Sequence, residues 1–130
     1  MGSYWIPYNP NPKGRAADDC AVRACTIAVH KDWDTVYLEL SMLGCMQGDL
    51  ISGNHVWGHY LRRHGYRRAL IADACDTCYT VEDFCREHPR GTYVLALSGH
   101  VVAVQDGCYL DSFDSGAEVP IYYWHKKEEE

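Results

Sequence analysis

The sequence has no run approaching the ~18 apolar residues that a membrane-spanning helix needs, so no membrane partner is expected. Its opening residues, MGSYWIPYNPNPKG, lack a basic stretch followed by an apolar core, and no secretory signal is expected there. Positive charge is in deficit as well. Twelve Lys and Arg face 18 Asp and Glu, and a net charge of −6 weighs against nucleic acid as the main partner. Internal repeats are missing, and the one biased segment is the charged tail HKKEEE (125–130). The seven cysteines are an odd number with no signal ahead of them, which argues against a complete disulfide framework. The expectation is a cytoplasmic protein with reduced thiols, so that each cysteine needs its own explanation.

What is present is the composition of a globular protein, 47% hydrophobic and 23% charged over 130 residues. That length suits one domain with one real core, spanning 1–130 with an extended arm at 1–14 and the charged tail at 125–130. The arm holds three prolines and several aromatics that are expected to pack on the body. Periodicity and caps predict helices from Asp18 or Asp19 to about His30, over 32–44 ending at Gly44, over 54–65, and over 80–88 with Thr80 and Asp83 as a capping box. Short strands are expected at 68–73, 92–98, 100–104, 108–113 and 119–124, with Asp106-Gly107 as a two-residue hairpin turn. Helices first and a mostly antiparallel sheet afterwards make the fold class α+β. The one basic concentration, RRHGYRR (62–68), reads as a solvated helix end, where cations suit the dipole, rather than as a phosphate patch.

The stretch RAADDCAVRACTIAV (15–29) raises the functional question. Between Cys20 and Val29 its only charge is Arg23, and apolar residues cover nearly every direction around the axis, the mark of a helix buried on all sides. Cys20 falls in its first turn, where unpaired N–H groups and the positive end of the dipole favour a thiolate. His100 opens the strand HVVAV, at the rim of the sheet, where an imidazole can reach a helix end. A thiol and an imidazole so placed are the nucleophile and base of covalent catalysis. If Asp106-Gly107 turns the hairpin, Gln105 pairs with Cys108, Val102 with Asp111 and His100 with Phe113. His100 and Asp111 then share a face as diagonal neighbours. Asp114 has the opposite parity and becomes the third member if a bulge interrupts the strand.

A cysteine heading a central N-terminal helix, then GH leading a strand, then an acidic residue on the next strand resemble the papain-like cysteine peptidase superfamily. The segments that carry the resemblance are DDCAVRACTIAV and GTYVLALSGHVVAVQDGCYLDSFDS. They look most like the compact peptidase C39-like and NlpC/P60-like members, and similar small proteins occur in bacteriophages and prophages. The resemblance implies a papain-like fold, in which N-terminal helices, one of them buried and bearing the cysteine, pack on the sheet. It also implies a thiol hydrolase acting on an amide bond in a peptide or protein, with Cys20 as nucleophile, His100 as base then acid, and Asp111 as orienter. An oxyanion hole from the Cys20 N–H and an upstream side chain is implied too. Where the family often has glutamine, this chain has Gly14, and the nearby candidates are Asn11, Lys13, Arg15, Asp18 and Asp19. The competing readings are an inactive binding module on the same fold, of phage origin and engaging a host protein, and a zinc-stabilised interaction domain.

The zinc reading rests on CDTCYTVEDFCREH, in which Cys75, Cys78, Cys85 and His88 form C-x2-C and C-x2-H pairs only six residues apart. That spacing is short for a finger or ribbon, so no cofactor is expected. A Cys75–Cys78 redox pair lacks its βαβ context. His55 and His59 lie four apart on a helix without the following glutamate of a zinc protease, and read as surface and packing histidines. Cys25, Cys45 and Cys108 read as helix, loop and strand residues. The aromatics of WIPY and IYYW read as core and edge packing, and an exposed part of them would suit a peptide-binding rim.

Overall fold

The computed structural model describes residues 4–15, 17–71 and 79–126. In chain order these form β1 (Trp5–Pro7), α1 (Cys20–Val29), α2 (Trp33–Gln47), α3 (Asn54–Arg63), β2 (Tyr66–Leu70), α4 (Val81–Glu87), β3 (Thr92–Leu97), β4 (His100–Gln105), β5 (Cys108–Asp111) and β6 (Tyr122–Lys126). The strands join in one sheet of order β1-β5-β4-β3-β6-β2, antiparallel throughout except for β1 on β5. The architecture is α+β. Among the described residues no helix is long and apolar enough to cross a membrane.

The apolar runs of β3 and β4 follow from a sheet covered on both sides. Val94 and Ala96 on β3, with Val101 and Ala103 on β4, pack into one cluster with α1, α2 and α3. Their neighbours Leu95, Leu97, Val102 and Val104 face the other way, into a cluster with Val81, Phe84 and Cys85 of α4 and with Tyr109. Strand alternation therefore divides the core between two layers. The N-terminal helices occupy one layer only, and α4 closes the other.

Asp106 and Gly107 both have positive φ, 51° and 81°, the requirement of the two-residue turn whose twist matches its strands. Gln105 duly pairs with Cys108, and the ladder continues to Ala103 and Leu110. It stops there, so the expected pairings of Val102 with Asp111 and of His100 with Phe113 are not made.

Several boundaries differ from expectation, among them β5, which ends at Asp111 instead of 113. The arm is not merely extended, since Trp5–Pro7 add a parallel edge strand to β5. Helix α2 does not end at Gly44 but runs to Gln47, with Gly48 left-handed as its C-cap. Gly44 is needed for space, because a Cβ there would lie 2.7 Å from the Asp49 carbonyl oxygen of the returning chain. Cys45 is consequently an exposed helix residue, not a loop residue. Strand β6 starts only at Tyr122 and takes in His125 and Lys126 of the supposed tail. Strand β2 begins at Tyr66, two residues earlier than expected.

Candidate active site

Helix α1 begins at Cys20, placing the thiol at the first helical position. Asp19 occupies the N-cap, yet its side chain makes no capping hydrogen bond, and the first turn holds no acidic residue. Both Asp19 oxygens are engaged elsewhere. Oδ1 accepts a short hydrogen bond from Arg23 Nη1, and Oδ2 accepts from Trp33 Nε1 at 3.0 Å. The lone charge of α1 is thus buried against an equally buried carboxylate one turn away.

His100 enters from the opposite direction. A tight turn through Ser98 and Gly99, with φ of +74° at the glycine, starts β4 opposite Leu97 and puts the histidine at the rim of the sheet. Its Nε2 donates to Asp111 Oδ2 at 2.6 Å. The Cys20 side chain lies close enough to the ring to raise its basicity. With Nε2 occupied by the carboxylate, Nδ1 is the nitrogen left for sulfur. Phe113 lies against the ring at 4.8 Å between centroids. Burial alone lowers the basicity of this imidazole. The hydrogen bond to Asp111 and the proximity of Cys20, with the negative charge that each group offers, outweigh burial and raise its pKa to about 9.

Asp111 closes β5 and is 2% exposed. Besides His100, its Oδ2 accepts from the fully buried Ser115 hydroxyl at 2.6 Å, and Oδ1 accepts from the Ser112 N–H at 2.8 Å. Arg23 Nη2 stands 3.8 Å from Oδ1. The main chain of Asp111 is held too, its carbonyl accepting from the Tyr8 N–H and from Trp5 Nε1. Three sequence-predicted residues, Cys20, His100 and Asp111, are therefore brought together at one rim of the sheet, and a buried arginine and serine fix the carboxylate.

The other candidates make other contacts or stand exposed. Asp114 is exposed and accepts from the Tyr109 hydroxyl and the Gly116 N–H, which occupies it away from His100. Asn11 Oδ1 accepts from the Lys13 N–H within a tight turn, while Lys13, Arg15 and Asp18 are exposed. Asp19, acting only as an acceptor, offers no proton to an oxyanion. Cys75 and Cys78 lie outside the described residues. Of their proposed partners, Cys85 is buried under α4, which pushes its thiol up to about 12, with Cys108 and Glu82 adding to the rise. His88 stacks on Phe84 at 3.8 Å and has Nδ1 on the Phe84 carbonyl. Among the described residues no group of three or more His, Cys, Asp and Glu could hold a metal ion. His55 and His59 are exposed, paired with Asp49 and Gln47.

Arg23 and Ser115 were not foreseen as site residues. Arg23 left a signal, a single charge in an otherwise apolar helix and four residues after an aspartate. Ser115 left none, because the loop after β5 alone carries it to Asp111. Compared with protein-family models, curated proteins and solved structures, the chain matches none of them.

Proposed function

We propose that this chain is a papain-like thiol hydrolase that cleaves an amide bond in a peptide or protein. The observation that carries the reading is the alignment of buried Asp111 with the partly buried His100 and Cys20, with an imidazole whose basicity is raised to about 9 beside a thiol on a helix N-terminus. A charged imidazolium next to sulfur favours the thiolate, which is the nucleophile. Cys20 Sγ attacks the carbonyl carbon, and the negative charge that develops on oxygen is met by the Cys20 N–H at the uncapped end of α1. His100 gives its proton to the leaving amine as the C–N bond breaks. It then takes a proton from water, which attacks the thioester and frees the acid and the thiol. Asp111 touches no reacting atom and serves as a positioning residue for the ring.

The substrate reading follows from shape. His100 opens β4 at the rim of the sheet with its ring only partly buried, and the Cys20 side chain beside it is partly buried too. A dyad at an open rim suits an extended chain better than a small amide, which requires an enclosing pocket.

A second reading, an inactive binding module on the same fold that engages a host protein, is favoured by Asp19. This carboxylate precedes the nucleophile, where an oxyanion donor would be useful. Incubating a peptide library with wild type and with Cys20→Ala, then sequencing new termini by mass spectrometry, separates the two. New termini that appear only with wild type support the hydrolase. Identical termini in both overturn it.

A further inference from the structure

Two of the four arginines of the 62–68 segment, Arg62 and Arg68, stand over aromatic rings that pack on the α1 side of the sheet. Arg62, in the last turn of α3, lies with its guanidinium 5.1 Å from the centre of the Trp124 ring. Arg68, the cross-strand partner of Trp124, lies 5.1 Å from the centre of the Tyr122 ring. Neither guanidinium has a carboxylate partner among the described residues. Between α3, β2 and β6 runs an open groove of about 640 Å³ that these four side chains line together with His55 and His59. Among the described residues no acidic side chain lines it. His55, on its lining, is paired with Asp49 at 2.9 Å.

The floor of the groove carries a second, independent signal. Trp124 is 3% exposed, and its Nε1 is, among the described residues, the one buried side-chain polar atom without a hydrogen-bond partner. Gly58 covers the adjacent ring edge so closely that a Cβ there would sit 2.9 Å from the indole. An indole N–H only donates, so what it lacks is an acceptor. Orphaned buried donors are costly and rare, and they call for a partner absent from the free chain. Two unpaired guanidiniums and one unpaired N–H present donors only, a set that fits a carboxylate.

Register places the groove beside the dyad. Tyr122 pairs with Ala96, which pairs with Val101, the residue after His100. Two strand spacings, about 10 Å, separate the near end of the groove from the catalytic rim. A nucleic acid is disfavoured as occupant, because a chain of net charge −6 repels a long polyanion and two arginines neutralise few phosphates.

We propose that this groove binds a carboxylate-bearing peptide segment through Arg62, Arg68 and the Trp124 N–H, and so selects acidic residues near the bond to be cleaved. The binding claim rests on the groove itself, and its role as a substrate subsite rests on the hydrolase reading above. The test follows the indole N–H resonance of Trp124, assigned with Trp124→Phe, in the full chain carrying Cys20→Ala. Acetylated, amidated tetraglutamate is expected to shift that resonance saturably, and the matching tetraglutamine is not. Arg62→Gln with Arg68→Gln, both exposed changes, should raise the concentration needed at least tenfold. No shift, an equal shift with tetraglutamine, or an undiminished shift in the double variant overturns the proposal. Saturation by inorganic phosphate without response to tetraglutamate overturns the carboxylate assignment. Alkylation of Cys20 in the wild type reads the dyad separately. A reactive Cys20 without the indole shift removes the groove and spares the hydrolase. The shift with an inert Cys20 keeps the binding site and removes its role as a substrate subsite.

Discussion

Replacing His100 by alanine removes the positive charge beside the Cys20 sulfur, and the structure sets the size of the effect. The imidazole rises from 6.5 to about 9 although burial opposes the rise, a net preference for imidazolium of about 3 kcal/mol. Asp111 and Cys20 supply it between them. An imidazolium beside a thiol favours the anionic sulfur. A contact of about 1.4 kcal/mol is worth tenfold in a population. Alkylation of Cys20 by iodoacetamide at pH 6 should therefore slow by about tenfold or more in His100→Ala. Above pH 10 the wild-type ring is neutral, and the two proteins should converge. Peptide mapping by mass spectrometry resolves the thiols individually. Exposed Cys45 supplies an internal reference, and buried Cys25, whose thiol burial pushes far up, should stay silent in both. Equal Cys20 rates in the two proteins at every pH would refute the thiolate–imidazolium pair.

The same imidazole makes stability pH-dependent. Its folded value lies above its unfolded one, so its contribution is complete below about pH 6.5 and disappears as pH rises through 9. Urea unfolding should show wild type losing up to about 3 kcal/mol across that window relative to His100→Ala; parallel profiles would count against it. Arg23→Met strands two buried carboxylates and should cost about 3–5 kcal/mol, with Asp19→Asn added to it recovering part of the loss in thermal melts. Ser115→Ala removes a buried hydrogen bond to Asp111 Oδ2 and should cost about 1–2 kcal/mol in urea titrations. Gly58→Ala drives a Cβ into Trp124 and should cost about 1–3 kcal/mol while leaving Cys20 alkylation unchanged.

The meeting of His100 with Asp111 near Cys20 was legible because each position depends on short-range rules. The positive φ values at Asp106-Gly107 leave one register for β4 and β5, and that register carries Asp111 to the end of the strand where His100 begins. A helix without an outward face had to be central, which put Cys20 at the core's edge. Long-range contacts decided the remainder. Gly44 reads as a stop by composition, but the chain returning at Asp49 packs against it and keeps it inside α2. Asp19 reads as a cap by position, and burial of Arg23 diverts it. The RRHGYRR cluster reads as solvated charge until the sheet order brings Tyr122 and Trp124 beneath it.

The diversion of Asp19 bears on why the site is built this way. An aspartate at an N-cap ordinarily accepts a hydrogen bond from the first turn and contributes about 1 kcal/mol. Asp19 forgoes this and joins Trp33 and Arg23 instead. Two consequences follow. First, the Asp19 carboxylate does not cap the N–H groups that open α1, so the positive end of the helix dipole remains available to negative charge developing beside Cys20. Second, Arg23 touches Asp19 with one nitrogen and faces Asp111 with the other. A single guanidinium thereby ties the helix bearing Cys20 to the strand bearing Asp111. Burying a charged triad is no route to stability, since an apolar replacement of the same volume does at least as well. What the triad does supply is a fixed separation between Cys20 and the Asp111–His100 pair, held by packed elements instead of loops. A helix serving the core alone gains nothing from that, and a thiol that must meet an imidazole gains directly.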